Sequence, residues 1–420
     1  MIETQQKKER LILVGVNTGN EQAARDSLEE LGLLVRTAGA EPLDQVVQNL
    51  EHPNPATYVG SGKLDEIRIL INSCDADGIV CDDELTPAQL KNLEQELDTT
   101  VLDRTMVILD IFAARAKSSE GKIQVELAQL RYRAIRLVGM RNSLSRLGGG
   151  IGTRGPGEKK LEVDRRLIHQ RIGQLKQELE QVKKHREVTR QQRSRSHVPV
   201  AAIVGYTNAG KSTLLNRLTG ADVLAEDKLF ATLDPTTRLL QLERDESILL
   251  TDTVGFVSKL PHHLIDAFRS TLEEAKYADL ILHVVDASNP MRDMQMHVVY
   301  DTLRELGVEG KPVFTLMNKQ DAVTETDIIF RDFQADRIIG ISAKTGAGLE
   351  ELKQALSEFL RENKAWICKL VPYDKAGRIQ DIRKLGQVSK EEYREDGILV
   401  EGYLPREFVG RIADLPDAEE

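Results

Sequence analysis

Val198-Pro199-Val200-Ala201-Ala202-Ile203-Val204-Gly205-Tyr206-Thr207-Asn208-Ala209-Gly210-Lys211-Ser212-Thr213-Leu214-Leu215-Asn216-Arg217-Leu218 reads as an apolar strand, a glycine turn and a helix start. The turn fits the phosphate-binding pattern G-x-x-x-x-G-K-[ST]. Glycines let backbone N–H groups crowd around phosphate oxygens, and the helix N-terminus adds partial positive charge. Lys211 is expected to reach the β- and γ-phosphates, and Ser212 to ligate Mg²⁺.

Three further motifs follow apolar strands in order. Ile248-Leu249-Leu250-Thr251 leads into Asp252-Thr253-Val254-Gly255, where Asp252 would hold Mg²⁺ through water and the Gly255 N–H would sense the γ-phosphate. Leu280 to Asp286 is another buried strand. Val313-Phe314-Thr315-Leu316-Met317 leads into Asn318-Lys319-Gln320-Asp321. The Asp321 carboxylate can accept from N1–H and the N2 amine of guanine, a match adenine cannot offer, and the Lys319 stem would pack along the ring. Arg337 to Ile341 leads into Ser342-Ala343-Lys344, where a backbone N–H would meet guanine O6. Phe230-Ala231-Thr232-Leu233-Asp234 falls in the first switch; Thr232 is the residue expected to close over Mg²⁺ and the γ-phosphate, with Thr236 as the other choice. Lys211, Thr232 and Gly255 are thus the expected groups on the transferring phosphate. Each tetrapeptide is weak alone, but the ordered set resembles the GTPase superfamily of translation factors and Ras-like switches. Ras-like enzymes carry a water-orienting glutamine after the D-x-x-G glycine; here Phe256 stands there. Unaided hydrolysis should be slow. Asn208 resembles the asparagine of GTPases that use a monovalent cation, which brings in K⁺.

The 420 residues allow two to four domains. No run approaches the ~18–20 apolar residues of a membrane span, and the polar N-terminus is no signal peptide. Cys74, Cys81 and Cys368 form no C-x-x-C pair, so neither a disulfide framework nor a zinc site is expected. A cytoplasmic chain follows, with peripheral contact to a membrane left open.

Residues 1–115 read as an N-terminal α/β domain: a strand at Leu11–Val16, a helix from Glu21 to Leu31 stopped by Gly32, a strand at Leu33–Thr37, then alternating helices and short strands. Gly60-Ser61-Gly62-Lys63 lacks full nucleotide-loop spacing and reads as a turn before a helix. Residues 116–197 read as a long antiparallel helical hairpin. Ile123, Leu127, Leu130, Ala134 and Leu137 form one heptad seam; Ile168, Ile172, Leu175, Leu179 and Val182, extended by Leu161, form the other. The glycine-rich Gly148–Glu158 joins them at the tip. Residues 198–361 are the P-loop GTPase G domain, and 362–420 a small α+β C-terminal domain with strands at Trp366–Val371 and Ile398–Leu404. Arg190–His197 reads as a hinge.

Charge is uneven. Net charge is −10, yet Arg131–Ser196 holds 18 Lys and Arg against 6 Asp and Glu, a local +12 that leaves −22 elsewhere. Arg131, Arg133, Arg136, Arg141 and Arg146 lie on one arm, and Lys159, Lys160, Arg165, Arg166 and Arg171 on the other. With little aromatic interleaving, phosphate contact or shape reading of structured RNA fits this finger. Arg141, Arg146, Gly149, Arg154, Lys159 and Lys160 are the candidate RNA contacts.

Gly148-Gly149-Gly150-Ile151-Gly152-Thr153-Arg154-Gly155-Pro156-Gly157-Glu158, Gly205 to Ser212, Phe230-Ala231-Thr232-Leu233-Asp234, Asp252-Thr253-Val254-Gly255-Phe256 and Tyr58-Val59-Gly60-Ser61-Gly62-Lys63 together resemble the HflX-type GTPases of the Obg/HflX-like group. The resemblance covers nearly the whole chain. It implies a monomer that binds the large (50S) ribosomal subunit, with the hairpin reaching rRNA, and a role in splitting or rescuing ribosomes under stress or in their biogenesis. It also implies reported ATP binding by the N-terminal domain. The rival readings are a GTPase acting in RNA modification and a protein-signalling switch.

Overall fold

Strand β1 (Arg10–Asn17) is buried along nearly its whole length, so both of its faces need cover. In the computed structural model that cover is α1 (Glu21–Ala38) with α4 (Arg104–Arg115) on one side, and α2 (Ser61–Cys74) with α3 (Pro87–Leu97) on the other. Leu11 and Leu13 pack with Leu28, Leu31, Val107 and Ile108. Ile12 and Val14, one residue out of phase, pack with Leu64, Ile67, Leu90 and Leu93. Strands β2 (Glu41–Asn49), β3 (Gly78–Cys81) and β4 (Thr100–Asp103) complete a sheet of order β2-β1-β3-β4. All its pairings are parallel. The structure describes residues 8–147, 156–194, 198–220, 229–230, 235–242, 246–259, 261, 274–323, 330–362 and 364–417.

Two expectations for this domain fail. Gly32 does not stop α1, and Leu33–Thr37 is helix rather than strand. Gly32 is buried inside the helix, where a Cβ would meet Leu13 Cδ1 at 3.4 Å, an ordinary van der Waals contact. The helix ends instead at Gly39, whose φ of +97° suits glycine. The second strand is β2, whose Pro42 obscures its pattern. Pro42 is tolerated because β2 is an edge strand and the register slips there, Leu11 facing Pro42 but Ile12 facing Asp44. By contrast Thr86 caps α3 with Pro87 at its first position, and Gln89 closes a capping box.

Next come α5 (Ser119–Leu147) and α6 (Pro156–Ser194). Their seam joins Leu127, Ile172 and Leu175, flanked by Ile123, Leu130, Ile168 and Leu179. Arg171 grips Glu126 across the hairpin through Nε at 2.8 Å and Nη2 at 3.1 Å. Arg136 lies over the Tyr132 ring and reaches Asp103 at 3.2 Å. Those two arginines therefore hold the hairpin to itself and to its base, and the basic surface is smaller than counted. Arg141 and Arg146 fall in the last two turns of α5, and Lys159 and Lys160 at the start of α6. Gly149, Arg154 and the rest of 148–155 lie outside the described residues. Of the expected hinge, Arg190 to Ser194 is helix, and 195–197 lie outside the described residues.

The third unit strings together β5 (Val200–Gly205), α7 (Lys211–Thr219), β6 (Thr236–Gln241), β7 (Ser247–Asp252), β8 (Leu280–Asp286), α8 (Arg292–Glu305), β9 (Val313–Asn318), β10 (Arg337–Gly340) and α9 (Leu349–Glu362). The sheet order is β10-β9-β8-β5-β7-β6, parallel except for β6 against β7. Ala201 and Ile203 pack toward α7 and α9, and Ala202 and Val204 toward Val299 and Leu303 of α8. Finally β11 (Lys364–Val371), α10 (Gly377–Leu385), β12 (Gln387–Arg394) and β13 (Gly397–Pro405) form an antiparallel sheet of order β11-β13-β12. Its core joins Ile367, Val371, Ile379, Ile382 and Val400. No described helix is long and apolar enough to cross a membrane.

The N-terminal domain is bonded to the third unit by buried polar groups. Arg104 is 1% exposed. Its guanidinium donates to Glu30 Oε1 at 2.6 Å, Asp82 Oδ1 at 2.6 Å, the Ser27 carbonyl at 2.8 Å and the Ser258 carbonyl at 3.2 Å. Lys259 adds ion pairs to Asp82 and, at 2.7 Å, to Asp83. Burial alone would raise the Asp82 carboxyl, but the Arg104 and Lys259 cations hold it below its usual value. Its stabilising contribution is therefore complete above about pH 4 and fades as pH falls through its depressed folded value. Removing Arg104 leaves the Glu30 carboxylate without a cation among the described residues and Asp82 with Lys259 alone. Arg104→Met is expected to cost about 3–5 kcal/mol, read as a lowered urea midpoint. Lys259→Ala, at a side chain 41% exposed, should cost no more than ~1 kcal/mol. Equal costs would contradict this assignment.

Candidate functional site

The loop from β5 to α7 is shaped by its glycines. Gly210 adopts φ +96°, and a Cβ there would stand 2.3 Å from Asn318 Nδ2. That closeness matters because Asn318 ties two loops together. Its Nδ2 donates to the Ala209 carbonyl at 2.8 Å, and its Oδ1 accepts from the Ala343 N–H at 2.9 Å. One buried amide thus fixes Gly205–Ser212 against Ser342-Ala343-Lys344.

Lys211 is 7% exposed, with Nζ donating to the carbonyls of Tyr206 at 2.7 Å and Gly205 at 3.1 Å. Burial pulls its pKa down to about 8, opposed by the Asp252 carboxylate. At neutral pH it remains mainly a cation, able to meet a phosphate. Ser212 Oγ donates to Asp252 Oδ2 at 2.7 Å. A hydroxyl and a carboxylate side by side at a helix N-terminus form the hard-oxygen donor set that suits Mg²⁺. Thr253 turns its hydroxyl to the Ile203 carbonyl at 2.8 Å, so it anchors β7 to β5. Gly255 lies against the loop: a Cβ there would be 2.8 Å from Thr207 Cγ2 and 2.9 Å from Lys211 Nζ.

The Asn318–Asp321 segment is also bonded to Ser342-Ala343-Lys344. Ser342 Oγ donates to Asp321 Oδ1 at 2.6 Å, and this bond, before the nearby Lys344 and Lys319, lowers the Asp321 carboxyl. It stays an acceptor. Lys319 has φ +63° and pairs with Asp286 Oδ2 at 2.8 Å. Gln320 donates its N–H to the Ile341 carbonyl at 3.2 Å, closing β9 onto the end of β10. The structure thus brings together the residues of all four motifs. Thr232 lies outside the described residues, as do Ala231, Leu233 and Asp234. Thr236 opens β6 directly across from Asp252. Phe230 is buried edge-on against Phe112 of α4, with ring centroids 4.7 Å apart.

Sequence reading missed the groups that tie this site to the N-terminal domain. Tyr206 sits inside the phosphate loop pattern, where its side chain carries no motif role. Its hydroxyl bonds Glu30 of α1 and accepts from the Ser258 N–H at 2.6 Å. Burial, then Glu30, pushes the Tyr206 phenol far above its usual range. Asp286, partner of Lys319, was also read only as the end of a strand.

Three family models match in tandem: residues 25–113 "GTP-binding GTPase N-terminal", 115–193 "GTP-binding GTPase Middle Region" and 200–319 "50S ribosome-binding GTPase". The chain is 65% identical over 418 residues to the GTPase HflX of Lacrimispora saccharolytica, covering 100% of this chain and 99% of that protein. It is 43% identical over 392 residues to the GTPase HflX of Escherichia coli K12, covering 93% and 92%. A crystal structure of a GTP-binding protein from the archaeon Sulfolobus solfataricus in complex with GDP is similar at 26% identity and TM-score 0.45, covering 83% of this chain and 98% of that one. Four nucleotide motifs on one sheet edge, in a chain matched from end to end, make this protein a member of the HflX family of GTPases.

Proposed function

We propose that this GTPase is a ribosome-bound switch whose basic hairpin grips the RNA of the large subunit. The observation that carries the reading is the hairpin itself. It is a seam-packed pair of helices, about 58 Å long on the α6 side at 1.5 Å per residue, with Arg141 and Arg146 in the last turns of α5 and Lys159 and Lys160 at the start of α6. The description of the matched 200–319 domain, a 50S ribosome-binding GTPase, names the same partner. GTP would hold the gripping state and hydrolysis would release it, as splitting or rescue of stalled ribosomes requires; subunit biogenesis would use the same cycle. The chain would act as a cytoplasmic monomer.

In this reading the N–H groups of Asn208 to Ser212 and the Lys211 ammonium hold the β- and γ-phosphates, while the Thr207 N–H bonds the Phe256 carbonyl. Ser212, Thr232 and, through water, Asp252 would hold Mg²⁺, which neutralises phosphate charge when bound. The Gly255 N–H meets the γ-phosphate. Asp321 accepts from guanine N1–H and N2, Asn318 braces the loop, the Lys319 stem lines the base, and a backbone N–H in Ser342-Ala343-Lys344 meets O6. Water attacks the γ-phosphorus, the bond to the bridging oxygen breaks, and GDP leaves. Phe256 supplies no group to orient that water, so turnover stays slow until a partner or a cation at Asn208 assists.

Asp321→Asn puts an amide donor where guanine also donates. GTP affinity should fall by at least ~100-fold while xanthosine triphosphate gains affinity; binding measured with both nucleotides checks this, and unchanged guanine preference would refute the base-reading role. Replacing K⁺ by Na⁺ at constant ionic strength should slow turnover several-fold, and equal rates in the two salts dismiss a cation at Asn208. Full-length protein should co-sediment with large subunits in a non-hydrolysable GTP analogue and be released in GDP. The paired change Arg146→Ala and Arg154→Ala should weaken that pelleting. Binding that ignores the nucleotide would sink the switch.

A further inference from the structure

Ser258, two residues past Phe256, sits in a closed ring of hydrogen bonds drawn from both domains. Its N–H donates to the Tyr206 hydroxyl oxygen at 2.6 Å, and its Oγ stands 2.6 Å from the same oxygen. Its carbonyl accepts from Arg104 Nη1 at 3.2 Å. Glu30 of α1 joins these two holders. Its Oε1 accepts from Arg104 Nη1 at 2.6 Å, and its Oε2 accepts from the Tyr206 hydroxyl. One carboxylate of the N-terminal domain thus closes the ring Glu30–Tyr206–Ser258–Arg104. Burial and Glu30 raise the Tyr206 phenol, so it keeps its proton and remains the donor in that pair.

The segment is also tied to the phosphate loop by backbone. The Phe256 N–H donates to the Gly205 carbonyl at 3.1 Å, and its carbonyl accepts from the Thr207 N–H at 2.7 Å. The two segments form a parallel bridge, Tyr206 facing Phe256. Both bonds fall on one residue, so by themselves they let the chain pivot there. The bond from Ser258 to the Tyr206 hydroxyl is a further attachment two residues on, and it sets the pivot. Gly255 is the neighbour on the other side of Phe256, so the direction of its N–H follows that setting. Lys211, the other group read above as meeting the terminal phosphate, donates to the Tyr206 carbonyl at 2.7 Å. Tyr206 therefore holds one such group through its carbonyl and steers the other through its hydroxyl. The phosphate-loop pattern leaves position 206 open to any residue. A phenylalanine there would fill the same apolar space but could not close the ring.

We propose that Tyr206, braced by Glu30 of the N-terminal domain, is a positioning residue for GTP hydrolysis. Its hydroxyl fixes the chain after Gly255 so that the Gly255 N–H meets the terminal phosphate. Neither side chain touches nucleotide or water, and no proton moves through them. Their effect is on geometry alone, and a small misplacement of a group that stabilises the transition state is costly in rate. GDP has no terminal phosphate, so its binding does not draw on the ring. The N-terminal domain thereby takes part in turnover through a single carboxylate.

The proposal rests on the reading of Gly205–Ser212 as the GTP site, and the test separates the two. Tyr206→Phe keeps the ring and removes the hydroxyl. In the full-length protein its single-turnover hydrolysis should fall by roughly tenfold. Glu30→Ala, in the other domain, should lose a similar factor. GDP affinity should stay within about twofold in both, since the loss concerns the terminal phosphate alone. The double variant should be no slower than the slower single, because both act through one ring. Lys259→Ala weakens the same domain contact outside the ring and should keep its rate within about twofold. A native or faster rate in Tyr206→Phe overturns the proposal. So does a double variant whose losses multiply, an equal loss in Lys259→Ala, or a rate loss matched by a loss of GDP affinity. Lys211→Ala, measured alongside, should lose GDP binding; if it binds GDP normally, the site reading itself fails, whatever Tyr206 does.

Discussion

The guanidinium of Arg104 constrains more of this molecule than any other described group. At 1% exposure it has lost its hydration, and a cation so placed is tolerable only with its donors filled. Its own domain supplies Glu30, Asp82 and the Ser27 carbonyl. The G domain supplies the Ser258 carbonyl. Glu30 in turn takes the Tyr206 hydroxyl, and Tyr206 belongs to the phosphate loop. The loop that meets phosphate and the segment after Gly255 are therefore held partly from outside the G domain. Shifting either one breaks bonds that the buried charge needs.

Much of the fold was legible because local chemistry and tertiary packing agree. Thr86-Pro87 starts a helix by capping rules and does so in the structure. The two heptad seams predict each other as partners and meet. The phosphate loop was readable because strand, glycines, lysine and helix start must occur in one order to work. Failures came where packing overrode a local signal. Gly32 looks like a helix stop but is buried within α1, which runs on to Ala38 along its packed face. Pro42 looks incompatible with a strand, yet an edge position and a slipped register admit it. Strand β6 was hidden in a stretch read for its switch threonine.

The site divides in the same way. Asn318, Asp321, Ser342 and Lys211 were legible because each belongs to a short pattern, and the structure brings those patterns together. Tyr206, Glu30, Asp82 and Arg104 lie up to 176 residues apart, and no local pattern links them. Only the three-dimensional pairing of two domains gives a reason for a tyrosine inside a phosphate loop. Arg136 and Arg171 teach the reverse lesson. Counted in sequence they swell a basic finger, but their partners Asp103 and Glu126 make them braces. The count of basic residues in a stretch of sequence therefore overstates the charge left unpaired on its surface.

Phe256 now has a structural reason. The position sits between the phosphate loop and the apolar cluster beneath it, where Phe112 of the N-terminal domain meets Phe230 edge-on. A glutamine there would bury an amide needing several hydrogen bonds in surroundings made of rings and methyls, at a cost of a few kcal/mol. The chain has an apolar anchor where a free-standing G domain keeps a water-orienting amide. Domain docking and unaided catalysis thus compete for one side chain. Docking prevails at this position, and Phe256 serves the domain contact rather than the water.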